Sequence, residues 1–155
     1  MGFFRRLFGG EDVRDTGTVQ PQRLDYLNEA LALERQGDFE AAIVSYRLAL
    51  RDHPNDPRIL QNLAIVFSRT GKLDDAVRHY RKALDLDPQL AGAHYGLGFL
   101  LLKKGDGSTA ARHLRAFLAN PPRGPEATRW IEHAETALRD LDMAPPSAAA
   151  GMEGA

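Results

Sequence analysis

Cysteine is absent from the 155 residues, which excludes disulfides, thiolate nucleophiles and cysteine-based metal sites. An excess of charge of one sign is absent too, because the formal net charge is −1. No overall field therefore attracts nucleic acid or anionic lipid. Long apolar runs are also missing: the longest, residues 97–102, is far shorter than the roughly 18 residues that a membrane-spanning helix needs. The remaining expectation is an ordinary globular domain.

Motifs of catalysis are missing as well. The sequence contains no GxSxG, Walker loop, HExxH or glycine-rich dinucleotide turn. Its basic residues are scattered among acidic ones, which disfavours a nucleic-acid interface. His79 and His113 occupy equivalent places but lack a carboxylate-rich ligand set, and we interpret them as surface histidines. We therefore predict no enzyme activity, no cofactor, no metal site and no nucleic-acid binding.

What the sequence does contain is an internal repeat. Several residue types recur at a constant interval of 34 residues. Four sets of positions agree on this period, including the set of large side chains Tyr46, Tyr80 and Leu114. A glycine can end a helix in the left-handed conformation, and a proline stops the next helix. Each unit is thus predicted to be a pair of helices. The other three sets are Gly37, Gly71 and Gly105; Ala42, Ala76 and Ala110; and Pro54, Pro88 and Pro122.

The second unit gives the clearest helix predictions. Pro57 suits a first helical turn, and apolar residues at helical spacing follow it, so we predict a helix over residues 57–69. After Gly71, the pattern from Ala76 to Leu84 predicts a second helix over residues 73–86.

These patterns divide the chain into six parts. Residues 1–22 form an N-terminal amphipathic segment and linker, and the three units span residues 23–56, 57–90 and 91–124. A helix over residues 125–141 has one apolar stripe that would cap the open end of the stack. Residues 142–155 are small and proline-containing, and we expect a disordered tail.

The units resemble tetratricopeptide repeats (TPRs). Unit 2 provides Leu60, Leu63-Ala64, Phe67, Ala76, Tyr80, Ala83 and Pro88 at the positions where that family has its large, small and proline residues. The resemblance covers about residues 23–141. It implies an all-α fold, a right-handed superhelical stack of helix-turn-helix repeats (an α-solenoid). It also implies a non-catalytic scaffold or adaptor within a multiprotein assembly.

In that family the first helix of each unit lines a concave groove, which here would bind a peptide or helix of a partner protein. The matching positions mix apolar residues with amides and with basic residues at one edge, which suits an amphipathic segment. The alternative is that some of these side chains pack under the cap or the N-terminal arm. The candidate groove residues are Leu27, Asn28, Leu31, Arg35, Gln61, Asn62, Ile65, Arg69, Tyr95, Phe99, Leu102 and Lys103.

The N-terminal segment GFFRRLF has a second candidate role. Its aromatic and basic composition suits a membrane interface, but so short a segment anchors weakly. Docking on a protein partner, or in the chain's own groove, stays open. The segment lacks the apolar stretch of a secretory signal. We therefore expect a cytoplasmic protein, and the high usage of Arg, Ala and Asp suggests a bacterial origin. Peripheral contact at the inner face of the membrane and homo-oligomerisation are open alternatives. The candidate anchor residues are Phe3, Phe4, Arg5, Arg6, Leu7 and Phe8.

Overall fold

A computed structural model describes residues 25–144 and contains only helices over that range. Successive helices pair into hairpins, and each hairpin packs on the next. The seven helices are α1 (Tyr26–Gln36), α2 (Phe39–Asp52), α3 (Pro57–Arg69), α4 (Leu73–Leu86), α5 (Ala91–Lys103), α6 (Gly107–Ala119) and α7 (Ala127–Met143). The predicted all-α solenoid is confirmed, and α3 and α4 have the predicted bounds.

The turn inside each hairpin follows from its glycine. Gly37, Gly71 and Gly105 have φ angles of +81°, +76° and +86°, the left-handed region that costs glycine least. An aspartate follows the first and third of these glycines. Asp38 accepts a hydrogen bond from the Ala41 N–H, and Asp106 accepts one from Thr109. These aspartates cap the next helix, so the chain reverses direction at a sequence-encoded point.

Small residues let the two helices of each hairpin approach closely. Ala64 and Ala76 are fully buried where α3 faces α4, as their spacing predicts. In the third hairpin Gly98 replaces this alanine, and a Cβ there would lie 2.7 Å from a methyl carbon of Leu114. The space that a side chain would fill at Gly98 is thus occupied by Leu114.

The core is continuous through the hairpins and separate at the end. One cluster of buried side chains runs from Ala30 to Ala110. A second, smaller cluster joins Leu114 and Phe117 of α6 to Ala134 of α7. The capping helix therefore packs on the end of the stack through few fully buried residues.

The cap begins and ends two residues later than predicted. It starts at Ala127 rather than residue 125 and continues through Asp142 and Met143, which the sequence placed in a disordered tail. Proline restricts the residue before it to extended conformations, so Pro145 ends the helix near Ala144, whose ψ is 134°. Charged residues after the last apolar position did not stop the helix earlier.

Candidate partner-binding face

The first helices of successive hairpins lie side by side. The Arg69 guanidinium of α3 forms an ion pair with Glu34 of α1 at 3.4 Å. Gly92 of α5 lies directly against the Gln61 side chain of α3. The Tyr95 hydroxyl of α5 is hydrogen bonded to His133 of α7. We call the surface that α1, α3, α5 and α7 share through these contacts the inner face.

The apolar part of the inner face lies on α1 and α3. Leu27, Leu31 and Ile65 are half-buried and pack with one side against the main core. Their remaining surface is open to solvent. This arrangement leaves a strip of apolar surface that a bound segment could cover.

The two asparagines at equivalent positions differ in their surroundings. The Asn28 side chain donates to Asp25, and the Asn28 backbone N–H donates to the same carboxylate at 3.1 Å. Asn28 is thus part of the cap of α1. Asn62 is half-buried on α3, and no hydrogen bond of its side chain is formed within residues 25–144. Only Asn62 therefore has its amide available.

A polar cluster joins the first two repeats at the basic edge. Glu34 accepts a hydrogen bond from the buried Tyr46 hydroxyl at 2.8 Å and pairs with Arg69. Burial, with the Glu34 carboxylate, raises the pKa of Tyr46 above its usual range. Arg69 also lies 5.9 Å from the centre of the Phe39 ring. Arg69 therefore has a structural role, while the exposed Arg35 and Lys103 remain at the surface. Sequence reasoning did not single out Glu34.

Three of the four third-repeat members of the predicted groove belong to the cluster under the capping helix. The His133 ring stacks on Phe99 with centroids 4.1 Å apart and planes 10° apart. The Tyr95 hydroxyl lies 2.7 Å from His133 Nδ1, and Leu102 belongs to the same cluster. Burial raises the pKa of Tyr95, although the cation of Arg129 partly opposes this shift. The alternative that groove side chains pack under the cap thus describes these three residues.

A pocket remains where the inner face passes from α5 to α7. It is open to solvent, with a volume of about 670 Å³, and Trp130 at its edge is 41% exposed. Sequence reasoning assigned Trp130 to the apolar stripe of the cap and did not consider His133. The repeat itself contained the signal, since His133 follows Phe99 by one full repeat period. The pocket is lined by Tyr95, Arg129, Trp130, Glu132, His133 and Thr136.

Gln61 lies between two repeats in the middle of the inner face. Its Oε1 atom is buried and has no hydrogen-bond partner within the described part of the chain. Gly92 leaves the space that the amide occupies. A buried amide oxygen without a hydrogen-bond donor costs free energy, so a donor on a bound segment would stabilise this side chain.

Two histidines, His79 and His113, differ from the surface interpretation made from the sequence. His113 pairs with His94, not with His79: their Nδ1 atoms are 3.1 Å apart, and His94 Nε2 lies 2.8 Å from the Pro88 carbonyl oxygen. Burial, followed by the charge of His94, lowers the pKa of His113. His79 packs on Phe67, and burial lowers its pKa too. The surface interpretation of His79 and His113 is wrong, because both are half-buried.

Two further features bear on the kind of site. Among residues 25–144, no group of three or more potential metal ligands comes together. Over the same range, no helix is both long and apolar enough to cross a membrane. The predicted anchor residues Phe3, Phe4, Arg5, Arg6, Leu7 and Phe8 lie outside the described residues.

The fold and the inner face define a helical-repeat solenoid built from hairpins that recur at one constant interval. A tetratricopeptide repeat model matches residues 25–66, and a TPR repeat model matches residues 69–105, together just over half of the chain. The chain belongs to the TPR family. No curated relative matches its sequence significantly.

Solved structures share this fold at low sequence identity. The Yersinia enterocolitica type III secretion chaperone SycD, in complex with a peptide of the translocator YopD, is 18% identical with a TM-score of 0.71, over 76% of this chain and 90% of that chain. The TPR2B domain of yeast Sti1, in complex with pHsp70, is 16% identical with a TM-score of 0.66, over 76% and 93%. The Sgt2 TPR domain of Aspergillus fumigatus is 22% identical with a TM-score of 0.65, over 78% and 83%.

Proposed function

We propose that this chain is a non-catalytic adaptor whose inner face binds a peptide or helical segment of a partner protein within a multiprotein assembly. The observation that carries the proposal is the partly exposed apolar strip of Leu27, Leu31 and Ile65 beside the basic residues of the same face. Two proteins of the same fold, SycD and Sti1, form complexes with a YopD peptide and with pHsp70. Their complexes support the same type of function here.

The contacts suggest a division of roles among the candidate residues. The strip on α1 and α3 would cover apolar side chains of the guest segment, which excludes water from the apolar side of that segment. Asn62 has an available amide that can pair with a backbone donor and acceptor together. Gln61 has an unpaired carbonyl oxygen that a guest N–H would satisfy. Arg35 and Lys103 would set the orientation through charge at the edge.

The remaining candidates act less directly in this proposal. Arg69 is held by Glu34 and Phe39, so it shapes the edge of the face. Asn28 caps α1. Tyr95, Phe99 and Leu102 pack against α7 and provide a rigid wall for the guest.

Partner recovery from extract of the native cell tests the proposal. The variant Leu31→Glu/Ile65→Glu places two charges on the apolar strip, and Val44→Glu is its control because Val44 is 56% exposed on α2, outside the inner face. We expect wild type and Val44→Glu to recover the same partner, and the double variant to lose it. Circular dichroism must show equal helicity. Equal recovery by all three proteins would count against binding at the inner face.

The alternative function is that of a peripheral organiser on the cytoplasmic side of the membrane. It rests on the sequence GFFRRLF alone. Flotation with liposomes that contain anionic lipid compares the full chain with a chain that lacks residues 2–8. If the segment anchors the protein, only the full chain floats. Identical flotation of the two proteins removes this alternative.

A further inference from the structure

The helix α7 repeats the inner-face pattern as a fourth first helix. Its two buried residues, Ala127 and Ala134, follow the buried Ala93 and Leu100 of α5 by one repeat period each. The same side of both helices therefore packs on the preceding hairpin. In this register His133 corresponds to Phe99. The inner face thus continues beyond the three repeats onto α7.

The surface that α7 adds is aromatic and held in place. Tyr95 lies 4.8 Å from Phe99, 5.2 Å from Phe117 and 6.2 Å from Trp130, measured between ring centroids. The hydrogen bond to His133 fixes the Tyr95 hydroxyl. Trp130 stays 41% exposed at the edge of the pocket. An aromatic surface that is already rigid loses little entropy when it binds another aromatic side chain.

The charge of the inner face is opposite in sign to that of the whole chain. Among the charged side chains at its repeat positions and in the pocket, Arg35, Arg58, Arg69, Lys103 and Arg129 stand against Glu34, Glu126 and Glu132, whereas the complete sequence has a net charge of −1. Glu34 is already paired with Arg69. Across the described chain, no carboxylate lies within ion-pair distance of Arg129. The pocket therefore offers an arginine beside an exposed tryptophan.

We propose that this pocket, the Trp130 pocket, binds an acidic segment of the partner protein that carries an aromatic side chain. The aromatic ring would pack against Trp130 and Tyr95, and a neighbouring carboxylate would pair with Arg129. Tryptophan, tyrosine and arginine are the residues that most often dominate binding at interfaces. The proposal rests on the proposed adaptor function and names the chemistry of the segment and the end of the inner face that selects it.

Charge complementarity favours this occupant over the chain's own N-terminal segment. That segment also has aromatic residues, Phe3 and Phe4, but it places Arg5 and Arg6 beside them. These two cations would meet Arg129 and the cationic excess of the inner face. An acidic guest gains from the same charges, and its binding weakens as salt screens them.

The single tryptophan of the sequence, Trp130, makes the pocket directly observable by fluorescence. The ligand probe is a short labelled peptide of aspartate and glutamate with phenylalanine; one matched peptide has lysine for the acids, another has serine for phenylalanine. Trp130 emission and peptide anisotropy are measured with the full-length chain. The variants are Arg129→Gln and Trp130→Leu, the latter by anisotropy only. The control, Arg51→Gln, removes an exposed arginine from α2.

We expect the acidic aromatic peptide to shift the Trp130 emission to shorter wavelength and to bind more tightly than either matched peptide. Arg129→Gln and Trp130→Leu should each weaken binding about tenfold, a typical loss for an interface anchor. Arg51→Gln should not change it.

Failure to bind the acidic aromatic peptide, equal binding of the lysine peptide, or unchanged affinity in both pocket variants would overturn the proposal. So would occlusion of the pocket by the N-terminal segment, seen as binding only in a chain lacking residues 2–8. None of these outcomes touches the adaptor function, which fails separately if Leu31→Glu/Ile65→Glu still recovers the partner.

Discussion

The second and third hairpins share one repeat pattern but fill it with different side chains. In the second hairpin Leu60 and Tyr80 are both buried at the contact between helices. In the third hairpin the equivalent residues are His94 and Leu114. His94 is half-buried and hydrogen bonded rather than packed in an apolar core.

Glycine makes the third hairpin compatible with its neighbour. A Cβ at Gly96 would overlap the phenol of Tyr80, so the absence of a side chain lets Tyr80 of the second hairpin enter. A fixed backbone repeat thus tolerates polar and small residues where the adjacent hairpin supplies the missing volume. The stability of the first two hairpins should therefore depend on large buried apolar residues. The stability of the third should depend on glycines that let neighbouring side chains approach closely.

Removing a large buried side chain should have the largest effect in the second hairpin. Phe67→Ala creates a cavity in the continuous core, where Phe67 is 1% exposed, and should lower the free energy of unfolding by about 3–5 kcal/mol. Phe117→Ala affects the smaller end cluster, where α7 can move to close the space, and should cost less. Urea titrations followed by circular dichroism measure both. Equal losses would contradict the distinction between the two cores.

Adding one carbon at a glycine of α5 should destabilise the third hairpin at Gly96 but not at Gly92. Gly96→Ala meets the rigid Tyr80 ring and should cost about 1–3 kcal/mol. Gly92→Ala meets the end of the flexible Gln61 side chain at 2.7 Å, which can turn away. It should stabilise the helix by about 0.5–1 kcal/mol through lower backbone entropy in the unfolded chain. The thermal midpoints of the two variants should move in opposite directions, and a shared direction would refute the role given to Tyr80.

The hydroxyls of Tyr46 and Tyr80, in the first and second hairpins, should contribute differently to the free energy of unfolding. Tyr46 donates to Glu34, so Tyr46→Phe should cost about 1 kcal/mol. Burial raises the pKa of Tyr80 to about 12, but its hydroxyl forms no hydrogen bond with residues 25–144. Tyr80→Phe should thus cost less, as urea titration can show. A larger loss of stability for Tyr80→Phe than for Tyr46→Phe would show that the stabilising hydroxyl belongs to Tyr80, which would contradict this assignment.

Acidification should have the smallest effect, and it should arise at the histidine pair. The pKa of His113 is lowered by burial, by His94 and by Arg112 and Arg81, so the unfolded chain takes up this proton first. Stability should therefore be full above the ordinary histidine pKa and fall as the pH drops through it. His79 behaves in the same way.

The variant His94→Leu/His113→Ser tests this origin, because Leu60 and Ser45 occupy the equivalent places in other hairpins. Thermal midpoints between pH 7.5 and 5.5 should change less in this variant than in wild type. His53→Gln, at an exposed site after α2, is the control. A wild-type slope retained in the double variant would assign the pH dependence elsewhere.

The helices could be predicted because their signals are local. Pro57, the left-handed glycine at residue 71 and the apolar spacing between them fix α3 without reference to other residues. The fully buried Ala64 and Ala76 follow from the same repeat, since only small residues let helices approach closely.

The side-chain pairs could not be predicted because they depend on which rotamers meet across helices. Glu34 with Arg69, and His94 with His113, join residues whose sequence positions carry no shared pattern. His94 also lies beside the turn at Pro88, whose carbonyl oxygen is 2.8 Å from His94 Nε2. The contribution of α7 to the inner face could have been found by extending the repeat by one more unit.

Photo-crosslinking to the partner directly tests the proposal that the inner face binds a segment of a partner protein. A photoreactive residue replaces Ile65 on the inner face in one protein and Val44 on α2 in another, and crosslinked peptides are identified by mass spectrometry. We expect one defined segment of a partner protein to crosslink from position 65 and not from position 44. Crosslinks of equal yield from both positions, or crosslinks from position 65 only to residues 1–24 of the same chain, would contradict it.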